Sequence, residues 1–225
     1  MSFTLNKVVP WGRSLNEYIS MFALSDQDLT KSILGCGDGP ASFNAELTKR
    51  GGRVISFDPI YQFSAQEIQA IISETYDQII EQTTKNIDEF KWEHVKTVEE
   101  LGQIRMAAMT IFLMDFANSS DRYVTAELPT LPFGNKEFEL ALCSHLLFLY
   151  SEQMSLEFHV QAIQELCRVA AEVRIFPLLE LGANKSRHLD GVLDTLNHAE
   201  FNCEIHQVSY EFQKGGNQML RVTRI

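Results

Sequence analysis

The sequence predicts one α/β domain built on a mostly parallel sheet, and three stretches carry that expectation. Residues 32–43 read SILGCGDGPASF, a short apolar lead into three glycines at alternate positions, followed by a helical pattern. Residues 138–143, FELALC, are nearly all apolar, as in a parallel strand buried on both faces. Near the end, two strand-like runs, 203–212 and 218–225, flank Lys214, Gly215, Gly216 and Asn217, a turn signal that pairs the last strands antiparallel.

Composition bounds the function classes. A chain of 225 residues, 45% hydrophobic, suffices for one substantial core, and residues 1–225 are read as a single domain. A formal net charge of -11, with no Lys/Arg cluster, works against a nucleic-acid substrate, because phosphate backbones are held mainly by basic side chains. Cys36, Cys143, Cys167 and Cys203 are scattered without a CxxC pair. They suit reduced, buried thiols rather than a disulfide frame or a zinc site, and no HExxH or Cys/His cluster suggests a metal. The first residues show no signal-peptide core, and no apolar run reaches transmembrane length. The expectation is a soluble cytoplasmic protein with no membrane partner and an open oligomeric state.

In chain order, Leu15, Tyr18, Ile19 and Phe22 have the spacing of a short amphipathic helix expected at a sheet edge. Trp11 and Arg13 precede it, where an N-terminal arm closes α/β pockets. The first strand is expected near 31–34, the helix after the glycine turn over 41–50, and Gly51 and Gly52 stop it. Residues 53–57, RVISF, are a second strand ending at Asp58 and Pro59. An acid at that strand tip, some 20 residues past the glycines, is where α/β nucleotide folds bind ribose hydroxyls.

Two helices follow where a parallel crossover requires one. Ser64 with Glu67 opens the first as a capping box, with Ile68, Ile71, Ile72, Ile79 and Ile80 at helical spacing, and Thr97 with Glu100 opens the second. Residues 64–118 are read as a helical insert: a pocket cover, an elaboration or an oligomer surface. Strand three is expected at 122–125, just before Glu127, and strand four ends at Ser144 and His145. Ligands of open α/β sheets sit beyond the carboxyl ends of the strands, so Asp58, Glu127, Ser144 and His145 should converge on the glycine turn. A helix over 156–167, a fifth strand over 173–179 with Pro177 marking an edge or an end, and a helix over 188–199 complete the pattern.

These residues resemble the class I S-adenosylmethionine-dependent methyltransferases, most nearly the small-molecule domain of the ubiquinone/menaquinone methyltransferases. Gly35-Cys36-Gly37-Asp38-Gly39 looks like the family's glycine loop, Asp58 like its ribose acid, Glu127 with Leu128 like its adenine contacts, and LPFGNKEFELALCSH like its segment into strand four. The resemblance implies a Rossmann-like seven-stranded sheet of order 3-2-1-4-5-7-6 with the last strand antiparallel. It also implies S-adenosylmethionine as cofactor and methyl transfer to a small-molecule acceptor. Gly35 through Gly39, Asp58, Pro59, Ile60, Glu127, Leu128, Ser144 and His145 would form the cofactor pocket, with Ile60 on the adenine face. Trp11, Arg13, Tyr61 and Tyr150 would flank the acceptor, and His145 is the candidate base. A dinucleotide site would need a third glycine at position 40, which is Pro40. Ile33 stands where the family carries an acid, and the Lys-Pro-Gly-Gly turn before strand five is absent. A catalytically silent protein that binds the cofactor or its demethylated product is the competing expectation.

Overall fold

The computed structural model describes residues 9–225, apart from the side chain of Ser120. Seven strands form one sheet: β1 (Ser32–Cys36), β2 (Arg53–Phe57), β3 (Tyr123–Val124), β4 (Phe138–Ser144), β5 (Ala170–Phe176), β6 (Phe201–Gln207) and β7 (Gln218–Arg224). Their order is β3-β2-β1-β4-β5-β7-β6. The β1–β2, β1–β4, β2–β3 and β4–β5 pairs are parallel, and β7 runs antiparallel to both β5 and β6.

Alternation along β4 explains the layers. Leu140 and Leu142 pack with Ile33 and Val54 beneath α1 (Leu15–Phe22) and α2 (Phe43–Lys49), through Tyr18, Met21, Phe22 and Phe43. Ala141 and Cys143 face the other layer, where α5 (Leu156–Val169) and α6 (Leu189–His198) supply Ile163, Leu166, Val192 and Leu196. Successive strand side chains point to opposite faces, so one apolar run serves two cores. The N-terminal helix therefore lies over a sheet face, touching α2, β5 and β7, rather than at the sheet edge. Its capping box between Ser14 and Glu17 sets its start.

The insert forms α3 (Ala65–Lys85) and α4 (Val98–Phe116), packed on one another, and α4 also packs on α2. Ser64 and Glu67 make the full box; at α4, Thr97 caps Glu100 N–H, but the Glu100 carboxylate turns to Lys96 N–H. Several boundaries differ from expectation, two of them by enough to matter. Strand five starts at Ala170, ends before Pro177 and lies inside the sheet between β4 and β7, so Pro177 marks an end and no edge. Residues 179–180 and 184–185 instead pair as a two-stranded ribbon. The strand before the final turn stops at Gln207, leaving residues 208–217 as a loop whose Phe212 carbonyl accepts from Lys91 N–H at 2.7 Å.

Candidate active site

The glycine turn is a backbone device. Gly37 and Gly39 have φ of +62° and +49°, left-handed values that side chains rarely adopt. Gly37 N–H donates to Phe57 C=O at 3.0 Å, which ties the turn to the tip of β2. At that tip Asp58 accepts from Gly39 N–H at 3.0 Å and from Ile60 N–H at 2.9 Å. Burial pushes its carboxyl up, while those two donors pull it back.

Asp38 folds back under the turn. Its carboxylate accepts from Tyr18 O–H at 2.7 Å and Ser56 O–H at 2.6 Å, and a Cβ at Gly35 would lie 1.8 Å from one of its oxygens. The residue is 6% exposed, and burial raises its carboxyl to about 6 against the hydrogen bonds that favour the anion. Asn44 donates to Ser56, so α1, α2 and β2 are joined through this one acid.

The turn faces a cavity of about 570 Å³ at the carboxyl ends of β1, β2 and β4. Gly37, Asp38, Gly39, Asp58, Pro59, Ile60, Glu127, Leu128, Ser144 and His145 line it, and so do Trp11, Arg13 and Tyr150. Three expected residues do not. Gly35 and Cys36 lie behind the turn within β1, Cys36 fully buried in the core. Tyr61 is turned away from the acceptor side: its ring packs among Phe112, Phe116 and Tyr123, and its O–H donates to Gly39 C=O at 2.8 Å. It braces the turn from outside.

His145 follows β4 with φ of +54°; its N–H donates to Phe176 C=O, and its Nδ1 lies 2.9 Å from Ser144 Oγ. Burial, with Arg13 and Arg105 nearby, holds its imidazole well below the usual histidine value, so the ring is neutral at physiological pH. Glu17 and Arg105 pair at 2.7 Å beside it, and Tyr210 O–H donates to Glu17 at 3.2 Å.

The far wall comes from the insert, which the sequence offered as a pocket cover, an elaboration or an oligomer surface. Ile71, Thr75, Ile79 and Thr83 of α3 face the cavity, a four-residue stripe legible as one helix face but not as a pocket lining. Phe90 and Phe212, stacked at 4.9 Å, close the wall where residues after α3 meet the 208–217 loop. Among the described residues, no group of three or more His, Cys, Asp or Glu side chains is arranged for a metal, and no helix is long and apolar enough to cross a membrane.

The sheet order and its antiparallel last pair are those that the resemblance to the class I S-adenosylmethionine-dependent methyltransferases implies, with a cavity at the strand ends. The chain belongs to the same family as the uncharacterized protein MJ0045 of Methanocaldococcus jannaschii, with 35% identity over 222 residues covering 98% of both chains. No protein-family model matches it. Among solved structures it is similar to the magnesium protoporphyrin IX methyltransferase of Synechocystis, at 11% identity and a TM-score of 0.49 over 94% of this chain and 78% of that one. It is also similar to a SAM-dependent methyltransferase of Thermotoga maritima, at 11% identity and a TM-score of 0.46 over 94% and 89%. These two structural likenesses say nothing of what this chain binds.

Proposed function

We propose that the protein is an S-adenosylmethionine-dependent methyltransferase acting on a small-molecule acceptor. One observation carries the reading: the Asp58 carboxylate, fixed at the β2 tip by two backbone N–H groups, borders the same cavity as the positive-φ glycine turn and Glu127. Each carboxylate oxygen of Asp58 accepts one N–H and keeps a further lone pair for a ribose hydroxyl. Glu127 would accept from an adenine amino group and Leu128 N–H would donate to the ring. The bare backbone at Gly37 and Gly39 lets the methionyl part approach. A cavity of about 570 Å³ falls within the range of small-molecule sites.

When bound, S-adenosylmethionine supplies a sulfonium methyl group, which an acceptor lone pair takes in line while the C–S electron pair returns to sulfur. The protein's work is then positioning and exclusion of water. The α3 stripe and the Phe90/Phe212 pair supply the cover, which favours the insert as a lid over an elaboration elsewhere. A neutral, half-buried His145 suits a wall of the pocket better than a general base, because desolvation penalises the imidazolium it would form.

Isothermal titration with S-adenosylmethionine and S-adenosylhomocysteine tests the cofactor, with binding of both expected. Absence of affinity for either overturns the reading. Cofactor turnover against a metabolite extract then separates an enzyme from a silent binder, which would bind without producing S-adenosylhomocysteine.

A further inference from the structure

We propose that His159 is a positioning residue of this site: from outside the cavity, its bare Nε2 holds the loop of residues 145–151 in the shape that walls the cavity. The ligand that this shape serves rests on the methyltransferase reading; the support of the loop does not. The loop follows β4, and His145, Leu146, Leu149 and Tyr150 line the cavity from it. Two of its residues, His145 at φ +54° and Phe148 at φ +67°, stand in the left-handed region without being glycine. Such residues persist only where their surroundings fix them. The fit against the glycine turn is also tight, because Leu146 Cδ2 lies 2.7 Å from where a Cβ at Gly37 would be. A shifted loop therefore moves against the turn that borders the same cavity.

His159 sits in the first turn of α5, fully buried, and is not among the described residues that line the cavity. Its two ring nitrogens have opposite duties. Nδ1 lies 2.8 Å from Ser155 C=O, which has no hydrogen to give, so Nδ1 carries the proton. In the neutral ring Nε2 is then a lone pair, and Phe148 N–H donates to it at 3.1 Å. Burial holds the imidazole below the usual histidine value, which keeps the ring neutral. Phe148 is itself fully buried, its ring 5.3 Å from the imidazole, so without Nε2 that N–H goes unpaired at the left-handed residue. The carbonyls of the loop are met separately: Ser151 Oγ donates to Phe148 C=O at 2.6 Å, and Nε2 of His188 donates to Ser151 C=O at 3.0 Å.

Asparagine and glutamine separate the two nitrogens, since an Asn amide reaches where Nδ1 lies and a Gln amide where Nε2 lies. His159→Gln should keep the acceptor for Phe148 N–H, and His159→Asn should lose it. In calorimetry the Gln variant is expected to bind S-adenosylhomocysteine within about 3-fold of wild type and the Asn variant about 10-fold more weakly or worse, the scale of one buried N–H left unpaired. Hydrogen exchange reads the same contact without ligand: the Phe148 amide should be protected in wild type and His159→Gln, and exchange about 10-fold faster or more in His159→Asn. Long-range nitrogen–hydrogen NMR correlations of the wild-type ring should show the hydrogen on Nδ1 and none on Nε2, a measurement that needs no variant to fold. A hydrogen on Nε2, an Asn variant that binds and exchanges like wild type, or a Gln variant as weak as the Asn variant overturns the proposal. Failure of wild-type protein to bind S-adenosylhomocysteine overturns the methyltransferase reading instead, and exchange at Phe148 then decides the part played by His159.

Discussion

Asp38 makes a quantitative prediction about stability against pH. Its carboxyl is raised from the ordinary 3.8 to about 6, with burial as the largest cause. A carboxyl raised in the folded state binds protons more tightly there than in the unfolded chain. Its linkage therefore favours folding below about pH 4, and that contribution is lost as pH rises through about 6. At 1.36 kcal/mol per pH unit, the gap between 3.8 and 6 amounts to about 3 kcal/mol. Asp38→Asn removes the titration and keeps an oxygen to accept from Tyr18 or Ser56. Glu17, Asp28 and His145 also titrate, so the quantity to measure is the difference between variant and wild type, in which the contributions of groups not coupled to Asp38 cancel; the charge of Asp58, which helps raise Asp38, is the one coupled term. Urea unfolding from pH 4 to pH 7.5 should show the stability of the variant relative to wild type rising by about 2.5 kcal/mol, most of it between pH 4 and 6. A difference that stays constant over that range, or runs the other way, refutes the placement of Asp38 as a buried acid.

Three further outcomes follow from the same geometry. Asp58→Asn should weaken S-adenosylhomocysteine binding by about 10- to 100-fold in calorimetry, the worth of one charge-assisted hydrogen bond; unchanged affinity would remove Asp58 from the site. The His145 imidazole should titrate well below the usual histidine range, so its NMR ring-proton shifts should stay flat from pH 6 to 8; a midpoint near 6.5 would place the ring in water. Gly37→Ala should cost about 1–2 kcal/mol in urea unfolding for a side chain at positive φ, with a further shift forced on Leu146, whose Cδ2 lies 2.7 Å from the added carbon; a neutral substitution would contradict the turn geometry.

Strongly local signals made much of the architecture legible. RVISF begins and ends where β2 does, because a short β-branched run between Gly52 and Asp58 leaves little freedom. The Ser64/Glu67 box marked the start of α3 for the same reason. Where several elements decide together, the reading slipped. Residues 208–212 have strand composition, yet the backbone of Phe212 bonds to Lys91 of the insert rather than continuing β6. Tyr61 was placed by a cluster of rings from α4 and β3, 51 or more positions away in sequence, which no local pattern encodes. Arg13 was legible as a residue near the pocket, and it lines the cavity wall.

Ile33 and Asp38 show how a departure from a family pattern is absorbed. The acid expected two places before the first glycine is absent, and Ile33 is fully buried in the core beneath α1 and α2, where a carboxylate would have no partner. The carboxylate instead comes from within the turn, with Asp38 folding back to reach Ser56 and Tyr18. That return passes so close to residue 35 that no side chain fits there. Gly35 therefore serves the acid rather than a ligand, while Gly37 and Gly39 supply the positive-φ backbone that borders the cavity. Three glycines that read as one motif thus divide into two jobs, and the displaced acid links the turn to α1 through the Tyr18 hydroxyl. The N-terminal arm that carries Arg13 leads directly into that helix, so the same buried carboxylate that shapes the turn is bonded to the element that follows the arm.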